Sequence, residues 1–315
     1  MLKNLHKIII ILSLAIIFIF IISECAIKVY LADFYFREAL VSRMEEDWPK
    51  TLQNYDKVLK ILPRQHYYRS RFAEDLRKGL TFYPNPSSKI KILEIGIATI
   101  ENVPLEERIL AMMTNQANML AEKIHLSGEK DYSQAEELFE KISALSPKMA
   151  GIYNDWCQLK IYEENWEEAL EVCEKALSLY PPADYPGIIN DHYQMIIAEE
   201  INVYDKLGQI YQKQGEYDKA LESWFKLLHL SPFEYHIHKK IANIYYLRGD
   251  IDKAIFENLH GFTLNPKDST WPFAIALLYK EKGDIDKAIY YATIALNLSP
   301  EDEEIKNFLS EIKLE

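Results

Sequence analysis

The 315 residues are 49% apolar and 27% charged, the balance of a folded or stacked-helix protein rather than a disordered one. A formal net charge of −12 argues against a nucleic-acid partner, because neutralising phosphates needs clustered Lys and Arg. Three cysteines are too few for a disulfide-built scaffold, and no CxxC or Cys/His zinc spacing occurs.

The chain opens on an apolar run. Ile8 to Ser23 carries no charge and is almost all Ile, Leu and Phe. As a helix it spans about 24 Å, short of a bilayer core of about 30 Å. Continuation through Ala26, Ile27, Val29, Tyr30 and Leu31 supplies the missing length, with Glu24 and Lys28 near the interface. The leading expectation is therefore one transmembrane helix within residues 1–31, touching the bilayer through residues 8–31. The charge balance around it favours an extracytoplasmic remainder; the cytoplasmic face stays open as an alternative. Cleavage of a signal peptide after Cys25 would instead give a secreted protein. Lipid attachment at Cys25 and a buried core helix are the remaining readings.

Residues 32–200 hold a series of amphipathic segments that end at prolines. DWPKTLQNYDKVLKILP ends at Pro63, SKIKILEIGIATIENV runs up to Pro104, DYSQAEELFEKISALSP ends at Pro147, and a longer segment ends at Pro181. Proline terminates helices, so each marks the close of a helical hairpin. From Pro63 to Pro300 the spacings are 41, 43, 34, 51, 34 and 34 residues. The 51 contains half a repeat extra. IINDHYQMIIAEEINVYDKLGQIYQ has no strong breaker, so an overlong first helix or one additional helix is expected there.

Residues 201–300 repeat openly. The heptapeptide GDIDKAI occurs at Gly249–Ile255 and again at Gly283–Ile289, 34 residues later. A third copy, LGQIYQKQGEYDKALESWFKLLHLSP, precedes them. Glycine and a short polar residue suit a turn between two helices, and Pro232, Pro266 and Pro300 close each unit. One hairpin cannot bury its apolar face alone, but stacked neighbours bury it for one another. Residues 301–315, EDEEIKNFLSEIKLE, read as a polar-faced capping helix.

These units resemble the tetratricopeptide repeat family. Tyr204, Leu207, Gly208, Tyr211, Ala220, Trp224, Leu227 and Pro232 fit its pattern. So do Ile241, Ala242, Tyr245, Gly249, Ala254 and Pro266, then Ile275, Ala276, Tyr279, Gly283, Ala288, Ala292, Ala295 and Pro300. The resemblance implies an all-α, right-handed superhelical solenoid of antiparallel helix hairpins, regular over 201–300 and degenerate over 32–200. It also implies a concave groove lined by the first helix of each hairpin. In the first regular repeat the lining positions are Asn202, Asp205, Gln209 and Gln212. In the second they are His236, Lys239, Asn243 and Tyr246, and in the third Thr270, Phe273, Leu277 and Lys280. Asn154, Gln158 and Ile161 extend the row upstream. Such a groove suits a protein or peptide partner. Some family members clamp a C-terminal carboxylate. Lys239 and Asn243 match that motif, but Ala274 stands where it needs an asparagine, so the clamp is not expected.

No GxSxG elbow, P-loop, HExxH or dinucleotide-binding glycine pattern is present, so neither catalysis nor a cofactor is expected. His236 and His238, two apart on a helix, point to different faces and do not form a metal pair. Cys157 and Cys173 fall at facing positions of one hairpin. They read either as a disulfide or as two small packed residues. The function expected is a membrane-anchored scaffold for protein–protein interaction. The alternative is an accessory part of a glycan-assembly system. ADFYFREALVSRMEEDWPKTLQNYDKVLKILPRQHYY loosely resembles the repeat tails of bacterial O-antigen ligase and polymerase-like membrane proteins, and carries no catalytic residue with it.

Overall fold

A computed structural model describes residues 2–181 and 191–312; of residues 2–17, 19, 21, 191–193 and 195 it describes the backbone alone. Among the described residues there are fifteen α-helices and two short 3-10 turns, and no strand. The chain divides into two compact units, residues 1–147 and 148–315.

The first unit contains α1 (Leu2–Met44), α2 (Trp48–Ile61), α3 (His66–Lys78), α4 (Pro86–Glu101), α5 (Leu110–Ser127) and α6 (Ser133–Leu145). Each helix that precedes a proline stops before it: α2 ends two residues before Pro63, α4 three before Pro104, α6 two before Pro147. The residue before proline is pushed out of the helical region, and Ser146 has φ −141° and ψ 67°. Ala32, Phe36 and Ala39 of α1 are buried in this unit, as are Tyr55 and Val58 of α2.

The expected membrane span is not found, and with it goes the single-pass localisation. Among the described residues no helix is long and apolar enough to cross a membrane. Most of the apolar run Ile8–Ser23 falls on residues whose side chains lie outside the description. The continuation through Leu31 fails for a physical reason. From Glu24 onward α1 carries a charge every few residues. Lys28 lies 3.7 Å from Glu24 and Arg37 2.9 Å from Asp33, i,i+4 pairs that interrupt the apolar continuation. Nor does the helix end at Leu31; it runs unbroken into the hairpin with α2.

One acid organises this unit. Asp75 is 1% exposed. It accepts hydrogen bonds from Arg43 and from the Tyr55 hydroxyl, and Arg71 stands 3.9 Å away. Burial, then the neighbouring Asp75 charge, pushes the Tyr55 phenol well above its usual range. A phenol that titrates higher when folded contributes stability that is present below its unfolded pKa, about 10, and lost as pH rises beyond it. Denaturant unfolding at pH 8 and pH 11 checks this. Tyr55→Phe is expected to show a smaller alkaline loss than the parent. At pH 8 it should be weaker by about 1 kcal/mol, for the missing hydrogen bond.

The second unit contains α7 (Ala150–Tyr162), α8 (Trp166–Leu179), α9 (Asp191–Lys213), α10 (Tyr217–Leu230), α11 (Tyr235–Leu247), α12 (Ile251–Leu264), α13 (Thr270–Glu281), α14 (Ile285–Leu298) and α15 (Glu303–Ile312). The half-repeat insert is an overlong first helix, the 23 residues of α9; the stretch before Asp191 lies outside the described residues. Gly215, Gly249 and Gly283 sit between helices at φ 78°, 75° and 81°, a left-handed conformation that glycine adopts without penalty. In GDIDKAI the next residue caps the following helix. The carboxylates of Asp250 and Asp284 accept from the backbone N–H of Lys253 and Lys287. The phrase thus encodes a turn and a cap together. Between α7 and α8 the left-handed position is taken by Glu164, φ 57°. Glu164→Gly is expected to stabilise the unit by about 0.5–1 kcal/mol, while Gly283→Ala, whose added Cβ meets nothing within 4 Å, costs about 1 kcal/mol in backbone strain alone. Thermal melts of the two variants test this.

The repeat writes its contacts at the same period. Lys219, Lys253 and Lys287 lie over the rings of Tyr211, Tyr245 and Tyr279, at 5.5, 5.2 and 5.0 Å. Successive hairpins are linked by a ladder of ion pairs. Arg248, ending α11, reaches Asp218 of α10 at 2.8 Å, and Lys282, ending α13, reaches Asp252 of α12. Helix α15 packs on α14. Its Ile305, Phe308, Leu309 and Ile312 bury against Ala288, Ala292 and Ala295 of α14.

Candidate functional site

The row of first helices in the second unit is α7, α9, α11 and α13. A lysine at a recurring position ties α9 to α7 and α11 to α9. Lys206 of α9 donates to the carbonyl and side-chain oxygens of Asn154 on α7, both at 2.6 Å. Thirty-four residues later, Lys240 of α11 donates to both oxygens of Asp205 on α9, at 2.5 and 2.8 Å. Asp205 also accepts from Trp224 Nε1 at 3.1 Å and from Gln209 at 3.1 Å. Asn154 and Asp205 are therefore engaged within the protein. In the next repeat the lysine is replaced by Ala274. No lysine clasp forms between α11 and α13, and among the described residues Lys239 has no ion pair.

An open cavity of about 570 Å³ occupies that place. Gln212, Lys239, Asn243, Tyr246 and Leu277 line it, together with Ala274, Leu278, Asn258 and Glu281. Its floor is small and apolar, at Ala242, Ala254 and Ala274. Lys239 and Asn243 are exposed, and Tyr246 and Leu277 are each 44% exposed. The Glu281 carboxylate beside Tyr246 raises the phenol's pKa. Asn258, buried in the wall, donates its amide to the carbonyl of Ala254 at 2.8 Å.

The other positions in the row sit differently. Phe273 packs edge-on against Phe308 of α15 at 5.5 Å, and Lys280 lies over that same ring at 5.6 Å. His236 is exposed, 3.4 Å from Glu234. Thr270 stands exposed at the start of α13, Asn202 is exposed on α9, and Gln158, Ile161 and Gln209 are half-buried. Glu281 was not among the expected lining residues. Nor was the buried pair His238 Nδ1···Glu257 Oε2, 2.7 Å apart. Glu257 stands one period from the buried Ser223; a charge at an inward repeat position is the signal that could have found it. Cys157 and Cys173 are bonded as a disulfide, Cα–Cα 5.3 Å, in the buried core shared by α7, α8 and α9. Among the described residues no group of three or more His, Cys, Asp or Glu could hold a metal ion.

The fold and this site define a repeat protein built of stacked helix hairpins. Residues 203–232 match the family model described as tetratricopeptide repeat, and that hairpin, the end of α9 with α10, is such a repeat. A comparison with curated proteins finds no match. Similar solved structures include MamA, at 19% identity over 57% of this chain and 95% of that one, TM-score 0.46. Another is YrrB, described as a TPR protein with an unusual peptide-binding site, at 16% identity over 71% of this chain and 98% of that one, TM-score 0.45. A tetratricopeptide repeat protein from Parabacteroides merdae aligns at 12% identity over 91% of this chain and 100% of its own, TM-score 0.54. At that identity the likeness is one of fold. The resemblance of residues 32–68 to the repeat tails of O-antigen ligase-like proteins finds no support in these matches.

Proposed function

We propose that the second unit is a docking scaffold that holds an extended segment of a protein partner in the cavity between α11 and α13. The observation that carries this reading is the missing clasp. Where the neighbouring helices are tied by lysine, Ala274 leaves a cavity whose polar side chains, Lys239 and Asn243, are not spent on the protein itself. An amide such as Asn243 both donates and accepts, which suits a peptide group, and Leu277 offers an apolar contact beside it. Expected lining positions at Asn154, Asp205 and Phe273 support the scaffold rather than the partner.

The test compares the full chain with a variant carrying Lys239→Ala, Asn243→Ala and Tyr246→Ala in pull-downs from a lysate of the source cells. All three side chains are exposed, so the variant is expected to melt within about 1 kcal/mol of the parent. A protein retained by the parent and lost by the variant supports the reading. Identical captured sets overturn it.

A further inference from the structure

The cavity is not uniform along its length. At one end stands Lys239. Neighbouring lysines of the row are committed, Lys206 to Asn154 and Lys240 to Asp205, while Lys239 is exposed and has no carboxylate partner among the described residues. At the other end stands Glu281. A carboxylate has about four lone-pair sites to offer. Among the described residues no lysine or arginine pairs with Glu281; Lys282 beside it is held by Asp252. Between the ends lie Leu277, Ala242 and Ala274. The spacing follows from the helix. From Lys239 to Asn243 is about 6 Å, and from Lys239 to Tyr246 about 10.5 Å, at 1.5 Å per residue. Residues 34 apart stand level on successive first helices. Leu277 is therefore level with Asn243, and Glu281, one residue past the position level with Tyr246, marks the far end.

We propose that this cavity selects a charge-polarised segment: an acidic side chain against Lys239, an aliphatic one over Leu277 and Ala274, and a basic one against Glu281. An extended chain advances about 3.3 Å per residue and points alternate side chains the same way. Acid and aliphatic side chains then fall two residues apart. The base falls two further on, its flexible stem taking up the difference. This inference rests on the docking reading and adds the chemistry of what docks.

Three heptapeptides with acetylated and amidated ends test it, so that no terminal carboxylate takes part. Each has leucine at its fourth position and serine elsewhere. The second and sixth positions are glutamate and lysine, two glutamates, or two lysines. Titration into the full chain is expected to rank the mixed peptide first, with its advantage shrinking as salt is raised. In Glu281→Lys the two-glutamate peptide should rise to first, and in Lys239→Glu the two-lysine peptide. Each change of preference is expected to be about three- to tenfold, since exposed ion pairs are individually weak. Because each variant gains a ligand, misfolding cannot imitate the result. The same order in all three proteins overturns the inference, as does failure of every heptapeptide to bind. In either case the docking reading stands or falls separately, on whether the alanine variant loses the captured protein.

Discussion

Trp224→Ala is expected to lower the unfolding free energy of the second unit by about 3–5 kcal/mol. The indole is fully buried between α9, α10 and α11, and its Nε1 donates to Asp205. Removing it leaves a cavity and takes one donor from an acid that also holds Lys240. The ring lies against Gly208, where an added Cβ would come within 2.3 Å of the indole nitrogen. Gly208→Ala therefore overpacks the same contact, at about 1–3 kcal/mol. The two changes should not add. With the indole gone, the extra methyl has room, so the cost of Gly208→Ala shrinks in the Trp224→Ala background. Urea unfolding of the four proteins in this cycle measures the coupling. Additive costs would mean that helix approach at Gly208 is set by something other than the ring.

Reduction of the Cys157–Cys173 bond is expected to destabilise the second unit by about 3 kcal/mol. The loop it closes spans 16 residues, and cross-linking a loop of that size removes about that much freedom from the unfolded chain. Both sulfurs are fully buried, so the double variant Cys157→Ala, Cys173→Ala should fold and melt near the reduced parent. Reductant should then shift the parent's melting temperature and leave the double variant unmoved. A thiol count under denaturing conditions gives an independent reading, one for the exposed Cys25 before reduction and three after. A parent that melts identically with and without reductant would contradict the expected stabilisation.

The hairpins were legible because their signals are local. Proline restricts the residue before it, glycine fills a left-handed turn, and aspartate caps a helix whatever lies elsewhere in the chain. Those three signals located the ends of α2, α6, α8, α10, α12 and α14. The site was less legible, because its character depends on what one helix does to the next. Asn154 and Asp205 occupy lining positions, but lysines from the following helix consume them. Phe273 occupies another, but it packs against Phe308 of α15. Glu281 lines the cavity from the last turn of α13, across from Tyr246, a relation between residues 35 apart. The opening helix misled for the opposite reason. A local apolar run suggested a span, and the recurring charges after Glu24 and the unbroken packing of α1 on α2 weigh against it.

The ion-pair ladder bears on how such an array could lengthen. Each 34-residue unit carries an acid near the start of its second helix, Asp218, Asp252 or Asp286, and the bases Arg248 and Lys282 close the first helices that follow the first two. Acid and base come from the same repeated template. A segmental duplication of one unit would therefore deliver a neighbour already matched to its parent, with no compensating substitution needed. Exposed pairs of this kind add little stability, but they favour one stacking register over a slipped one. The identity of the two GDIDKAI heptapeptides is what a lineage that grew by such copying would leave behind.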